Sequence, residues 1–285
     1  MKPISLLRNG VALMAALAIF SACDNSEQLA AAKLAEARQA FEQGDFSLAK
    51  LQIDSIKLLY PKAYDVRRQG IRLMQEVELS EQTQTLAYLD SMLAIKQQAV
   101  ESVLKKFVFE KDEEYEKIGH YLAPSQVIEK NLSRSYLRFR VDETGVLKMT
   151  SIYVGSSNIH HIAVKVSAPD GSFAETPASN DSYETTDLGR KIEKADYKMG
   201  EDGNVLSFLY MNRDKALRVN YQGERPYSVT MTTADRQALT NCYELAQQLS
   251  AITEIKKEME EANLKKEFVE RKMKESEEKE SAEKE

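Results

Sequence analysis

Three histidines, two cysteines and a large supply of carboxylates are the residues of this chain that could catalyse or bind. His160 and His161 stand side by side in the stretch NIHHIAV, and a pair of imidazoles invites a metal reading. On an extended strand, however, neighbouring side chains point to opposite faces, so the two rings do not readily share one ion. No Cys, Asp or Glu flanks them at ligand spacing, and each is expected as a hydrogen-bonded strand or turn histidine, with no metal ligand assigned. The two cysteines, Cys23 and Cys242, pose a choice among a disulfide, a nucleophile and an attachment point. Cys242 falls in an apolar helical stripe and reads as a small buried hydrophobe.

Other chemistry is not spelled out. The chain has no Gly-rich phosphate loop, no GxSxG elbow and no HExxH helix. Asp142, Glu175 and Asp202 stand among turn formers, where a carboxylate serves backbone hydrogen bonding. No catalytic residue and no cofactor site is assigned, and the chain is not expected to be an enzyme. The aromatics offer a binding lead. Tyr153, Phe173, Tyr183, Tyr197, Tyr210, Tyr221 and Tyr227 gather in one region, either as a recognition surface for a sugar or peptide or as ordinary strand residues filling a core and its rim.

The elements that position these residues follow from periodicity. Ala30, Leu34, Ala37 and Phe41 recur at helical spacing, Gly44-Asp45 interrupts, and Phe46, Ala49, Ile53 and Ile56 resume until Tyr60-Pro61. Residues 29–61 therefore read as an antiparallel helix pair. Residues 62–115 hold no proline and are expected as a long helix carrying Leu86, Leu89, Leu93, Val100, Val103 and Phe107 at a coiled-coil-like spacing. A second such stripe, Ala238, Cys242, Leu245, Leu249, Ile252 and Met259, follows Thr232 and Asp235, which have the spacing of a capping box. Residues 232–273 are expected as that helix, and residues 274–285, all Glu, Lys, Ser and Ala, as a charged disordered tail.

Residues 116–231 change period. YLRFRV alternates Leu137, Phe139 and Val141 with Tyr136, Arg138 and Arg140, and Ile162, Val164, Val166, then Leu217, Val219, Tyr221, then Tyr227, Val229, Met231 repeat the pattern. Turn formers separate them at Asp142 to Gly145, Pro169 to Gly171, Asp202-Gly203 and Gln222-Gly223. The stretch from Ala174 to Lys198 is poorly patterned and is expected as a long loop with at most one edge strand. The fold class is thus α+β: N-terminal helices and a long C-terminal helix forming an antiparallel helical stalk, with an antiparallel β-sheet domain, a sandwich or a half-open barrel, between them. The formal net charge of -6 offers phosphate no electropositive face, so nucleic acid is not an expected partner.

The N-terminus supplies the address. Lys2 and Arg8 precede an apolar run from Val11 to Phe20, too short to span a bilayer, as in a secretory signal peptide over residues 1–22. Phe20-Ser21-Ala22-Cys23 resembles the lipobox of bacterial lipoproteins, although Phe20 stands where Leu is usual. That resemblance implies that Cys23 becomes a diacylated N-terminus, followed by a tether over residues 23–28, and that the membrane is a partner through this lipid. The helix pair, with Ala37, Gly44-Asp45-Phe46, Ala49, Ile53, Ile56 and Pro61, resembles one tetratricopeptide unit. The whole layout is similar to envelope lipoproteins of Bacteroidota-type bacteria. The resemblance implies a non-catalytic, lipid-anchored protein of the bacterial cell envelope, on the outer rather than the inner membrane, whose β domain contacts another envelope protein. The alternative is a surface lipoprotein that binds a sugar or peptide.

Overall fold

The computed structural model describes the backbone from Arg8 to Ala282 and the side chains from Asn25 onward, Glu280 excepted. The side chains of the expected signal peptide and of Cys23 lie outside the described residues. The chain is α+β, with helices at both ends, two antiparallel sheets between them, and two compact units. Residues up to Asp90, with Glu258 onward, form the helical unit, and Ser91–Lys257 form the β unit. Among the described residues no helix is long and apolar enough to cross a membrane.

In the helical unit, α1 (Arg8–Glu42) and α2 (Phe46–Leu59) are joined by the expected Gly-Asp turn. Gly44 takes a positive φ of 78°, which costs glycine no steric strain, and lets the Asp45 N–H reach back to the carbonyl of Ala40 at 2.9 Å. Asp45 then caps α2, its Oδ1 accepting the N–H of Leu48 at 2.9 Å. Ala37 and Ala49 are fully buried, and they belong to one core with Leu34, Ile53 and Ile56. Ala63 and the start of α3 (Tyr64–Leu104), with Val66, Leu73 and Val77, complete that core, so a third helix covers what a lone pair would leave open. Lys50 of α2 and Glu81 of α3 close its rim with an ion pair at 2.8 Å.

Two boundaries differ from expectation. The long helix ends at Leu104 rather than at residue 115, because the N–H groups of Lys106 and Phe107 turn back to Val103 and Leu104 and the chain enters β1 (Val108–Glu110). At the other end, α5 (Thr233–Ala282) continues as helix into the expected disordered tail, as far as Ala282, where the described residues end. No Gly or Pro interrupts it, and Lys266–Glu270, Lys272–Glu275 and Lys274–Glu278 pair along its surface, each worth about 0.2–0.5 kcal/mol to a helix.

In the β unit the first sheet runs β1-β2-β3-β4-β8-β7 and the second β10-β9-β5-β6, every pair antiparallel. The strands are β2 (His120–Leu122), β3 (Tyr136–Asp142), β4 (Leu147–Gly155), β5 (Ala163–Ser167), β6 (Phe173–Glu175), β7 (Ser182–Asp187), β8 (Arg190–Lys198), β9 (Arg218–Gln222) and β10 (Tyr227–Thr230). Phe139 and Met149 of the first sheet share one core with Val164, Val166 and Val219 of the second. Val100 of α3 and Leu239, Cys242, Leu245 and Leu249 of α5 join it. The expected loop from Ala174 to Lys198 is instead a hairpin, and its β8 is an interior strand pairing with β4 from Lys191 to Lys198. Asp202 does more than turn the chain. It accepts the N–H of Leu206 at 2.6 Å, at the start of the unexpected helix α4 (Val205–Met211).

The capping box forms. Thr232 Oγ1 accepts the Asp235 N–H at 3.1 Å, and Asp235 Oδ2 accepts the Thr232 hydroxyl at 2.7 Å. The same carboxylate takes a bidentate pair of hydrogen bonds from Arg134, both 2.7 Å. Further along α5, Ser250 and Thr253 donate to the carbonyls of Gly145 and Thr144 in the β3–β4 turn. A Cβ at Gly145 would lie 2.2 Å from the Ser250 nitrogen, so only glycine permits this approach. Asp235→Ala removes the carboxylate half of the capping box and the ion-pair partner of Arg134, and should cost about 2–4 kcal/mol; the expected reading is a lower urea midpoint with an unchanged m-value.

Candidate functional site

A buried polar arrangement in the β unit surrounds the histidine pair. His160 and His161 precede β5 rather than lying on it, and His160 has a positive φ of 53°. They diverge, as adjacent side chains on a strand would, and each meets a glutamate more than twenty residues away in sequence. His161 is 2% exposed and Glu193, from β8, is 1% exposed. The Glu193 carboxylate accepts the N–H groups of Ile159, His160 and His161 at 2.7, 3.0 and 2.9 Å, and the His161 Nδ1–H at 3.0 Å. With the proton on Nδ1, the Nε2 of His161 accepts the hydroxyl of Ser151, from β4, at 2.9 Å.

Ser151, His161 and Glu193 thus stand in the order of a hydrolytic triad, which spacing in the sequence did not reveal. A nucleophile must reach a substrate, and Ser151 is fully buried in the middle of an interior strand. The arrangement instead links the sheets, because Ser151 and Glu193 belong to the first and His161 leads into the second. Burial pulls the His161 imidazole below its usual value, so the ring stays neutral. Burial is also the largest influence on Glu193 and pushes it upward, but the hydrogen bonds from His161, His160 and Ile159 together outweigh it and hold the carboxyl below its usual range.

His160 is half exposed and pairs through Nδ1 with Oε1 of Glu184, from β7, at 2.8 Å, which raises its pKa. Donor atoms of His160, Glu184 and Glu193 lie within 4.8 Å of one another, so tertiary structure assembles carboxylates around the histidine that the local sequence lacked. They are poor metal ligands as placed. Both Glu193 oxygens already accept two hydrogen bonds each, and Asn158 donates to the second oxygen of Glu184 at 2.7 Å. An ion would have to displace backbone N–H groups.

The aromatics divide. Tyr153, Tyr197 and Tyr221 are buried, and two of them act as further cross-links: the Tyr197 hydroxyl donates to the Ile162 carbonyl at 2.9 Å and the Tyr221 hydroxyl to the Ile152 carbonyl at 3.1 Å. Tyr221 also stands edge-on to His161, with centroids 5.1 Å apart. Tyr183 and Phe173 are exposed, and Tyr210 stacks on Tyr243 at 4.0 Å. Cys242 is fully buried, with its thiol pushed up to about 12 by burial, in keeping with a packing role. Outside the core, a mixed-charge concavity of about 410 Å³ is lined by Arg140, Lys148, Asp181, Asp196, Tyr197 and Lys198.

The saturated carboxylate makes definite predictions. Glu193→Gln replaces an acceptor of four hydrogen bonds by a group that must turn donors toward donors, and should destabilise the protein by about 3–5 kcal/mol; Ser151→Ala, which takes the donor from His161 Nε2, should cost about 1–3 kcal/mol. Both are read from urea midpoints. Because the native His161 pKa lies below 6.5, the unfolded chain gains its proton first, and stability should fall as pH drops below 6.5. Glu193 adds to this loss as pH falls through its lowered native pKa, whereas the His160–Glu184 contribution is complete below 6.5 and fades as pH rises through the raised native value.

No protein-family model, curated protein or solved structure matches this chain, so the reading of the site rests on its own geometry.

Proposed function

We propose that the chain is a non-catalytic protein of the bacterial cell envelope, held at a membrane by lipid on Cys23, whose β unit engages another envelope protein. The observation that carries this reading is the use made of Ser151, His161 and Glu193. The three groups best suited to catalysis are sealed from solvent and joined to one another, and they serve as a rigid link between sheets. The lipobox-like Phe20-Ser21-Ala22-Cys23 supports the anchor, and the formal net charge of -6 argues against a nucleic-acid partner. A second reading, a ligand-binding surface lipoprotein, draws support from the concavity of about 550 Å³ beside Arg218, Asn220 and the half-buried Tyr227, which has the polar and aromatic lining that a sugar or peptide requires.

Mass spectrometry of the mature protein should find an acylated N-terminus at Cys23, and Cys23→Ala should shift the protein from the membrane fraction to the soluble one. An unmodified Cys23 in the mature chain refutes the anchor. Crosslinking in intact cells followed by purification should recover one defined envelope protein. Turnover of a substrate by the purified chain, lost on substitution of a residue in the β unit, would sink the non-catalytic reading.

A further inference from the structure

The helical unit carries an exposed apolar surface that its own core does not use. Ala49, Ile53 and Ile56 face the core from α2, and helical geometry puts Leu51 and Leu58 on the opposite side. Leu58 and Leu59 are 77% and 62% exposed, and Tyr64, just past Pro61, is 70% exposed. The Gly44 turn folds α2 back along α1, which returns these residues toward the end of the unit that holds the exposed Leu29. Leu29 follows Cys23 by only about 9 Å of helix at ~1.5 Å per residue. The segment that closes this end is locally basic, which the formal net charge of -6 conceals: from Lys57 to Arg72 the chain has five cations, Lys57, Lys62, Arg67, Arg68 and Arg72, against one acid, Asp65, with Glu27 as the acid beside Leu29.

We propose that this end of the helical unit rests on the surface of an anionic lipid bilayer, with Leu29, Leu58, Leu59 and Tyr64 entering the boundary between headgroups and acyl chains and Lys57, Lys62, Arg67 and Arg68 meeting lipid phosphates. Exposed leucines and a tyrosine, followed and preceded in the chain by cations, match the two attractions that hold a peripheral helix at such an interface. A second copy of the chain fits the surface poorly, because a two-fold contact sets the same cations against one another. The proposal deepens the reading of Cys23 as a lipid anchor and rests on it: the anchor delivers this end of the unit to the membrane, and the surface then fixes how the unit meets it.

The test uses the full-length protein purified from membranes and reconstituted in vesicles, with Leu58→Cys carrying an environment-sensitive fluorophore. Cys242, buried and with its thiol pushed up to about 12, resists labelling. The label should be quenched by lipids brominated on their acyl chains in phosphatidylglycerol vesicles, and much less in purely phosphatidylcholine vesicles. Combining Lys62→Glu with Arg68→Glu in an unacylated Cys23→Ser chain should lower affinity for phosphatidylglycerol vesicles at least about fivefold. Protein that floats with vesicles while its label stays in water overturns the surface and leaves the anchor standing. Quenching that is equal in the two vesicle types overturns the assignment to anionic lipid. Energy transfer between labels on separate chains, or protection of the label by a copurifying protein, assigns the face to a protein contact and overturns the proposal. A Cys23→Ser chain that retains wild-type membrane attachment refutes the anchor alone.

Discussion

The β unit depends on one buried negative charge. Glu193 occupies an inward position on β8, between Lys191 and Ala195, where a core residue would be expected to be apolar. A bare carboxylate there would be untenable, since removing it from water costs several kcal/mol. Four N–H donors compensate, three of them successive backbone groups of residues 159–161. That requirement bends the segment before β5 around the carboxylate, puts His160 at a positive φ, and orients His161 so that its far nitrogen meets Ser151. The sheets are therefore locked by a directional polar contact as well as by apolar packing, and the Tyr197 and Tyr221 hydroxyls repeat the device from either sheet. Apolar packing alone tolerates slippage; a carboxylate with four assigned donors does not.

A second buried carboxylate organises the start of α5. Asp235 caps the helix, holds Arg134, and accepts a longer contact from Gln126 at 3.4 Å. Gln126 is itself fully buried and bridges the backbone of β3, donating to the Leu137 carbonyl and accepting the Phe139 N–H. The helix terminus, the loop before β3 and the strand are thereby set in register by three side chains. The helical unit works differently. Its order comes from small residues, Ala30, Ala37, Ala40 and Ala49, which let helices approach closely, and from one glycine turn that reverses the chain.

Much of this was legible in the chain itself. The Gly44-Asp45 turn, the capping box at Thr232 and strands β3, β5, β9 and β10 each carry a local signal, because periodicity, caps and turns act over a few residues. What escaped was β8, and for a definite reason. Its inward positions hold Glu193, Ala195 and Tyr197, so the alternation of apolar and polar residues that marks a half-buried strand is absent. Leu188-Gly189, both with positive φ, marked the hairpin, but leucine is not a residue from which such a turn is read. The glutamates that meet the histidine pair were missed for the same reason, since they lie on this hairpin and not beside NIHHIAV.

The sequence by itself determined the α+β class and the order of helical and extended segments, both of which rest on residues near one another in the chain. Tertiary structure alone decided the partners of Ser151, His161 and Glu193, and whether each tyrosine faced solvent or crossed between sheets. Those outcomes depend on which strands become neighbours and on whether a buried charge finds its donors. Both are settled by long-range pairing and desolvation, which leave no local period to read.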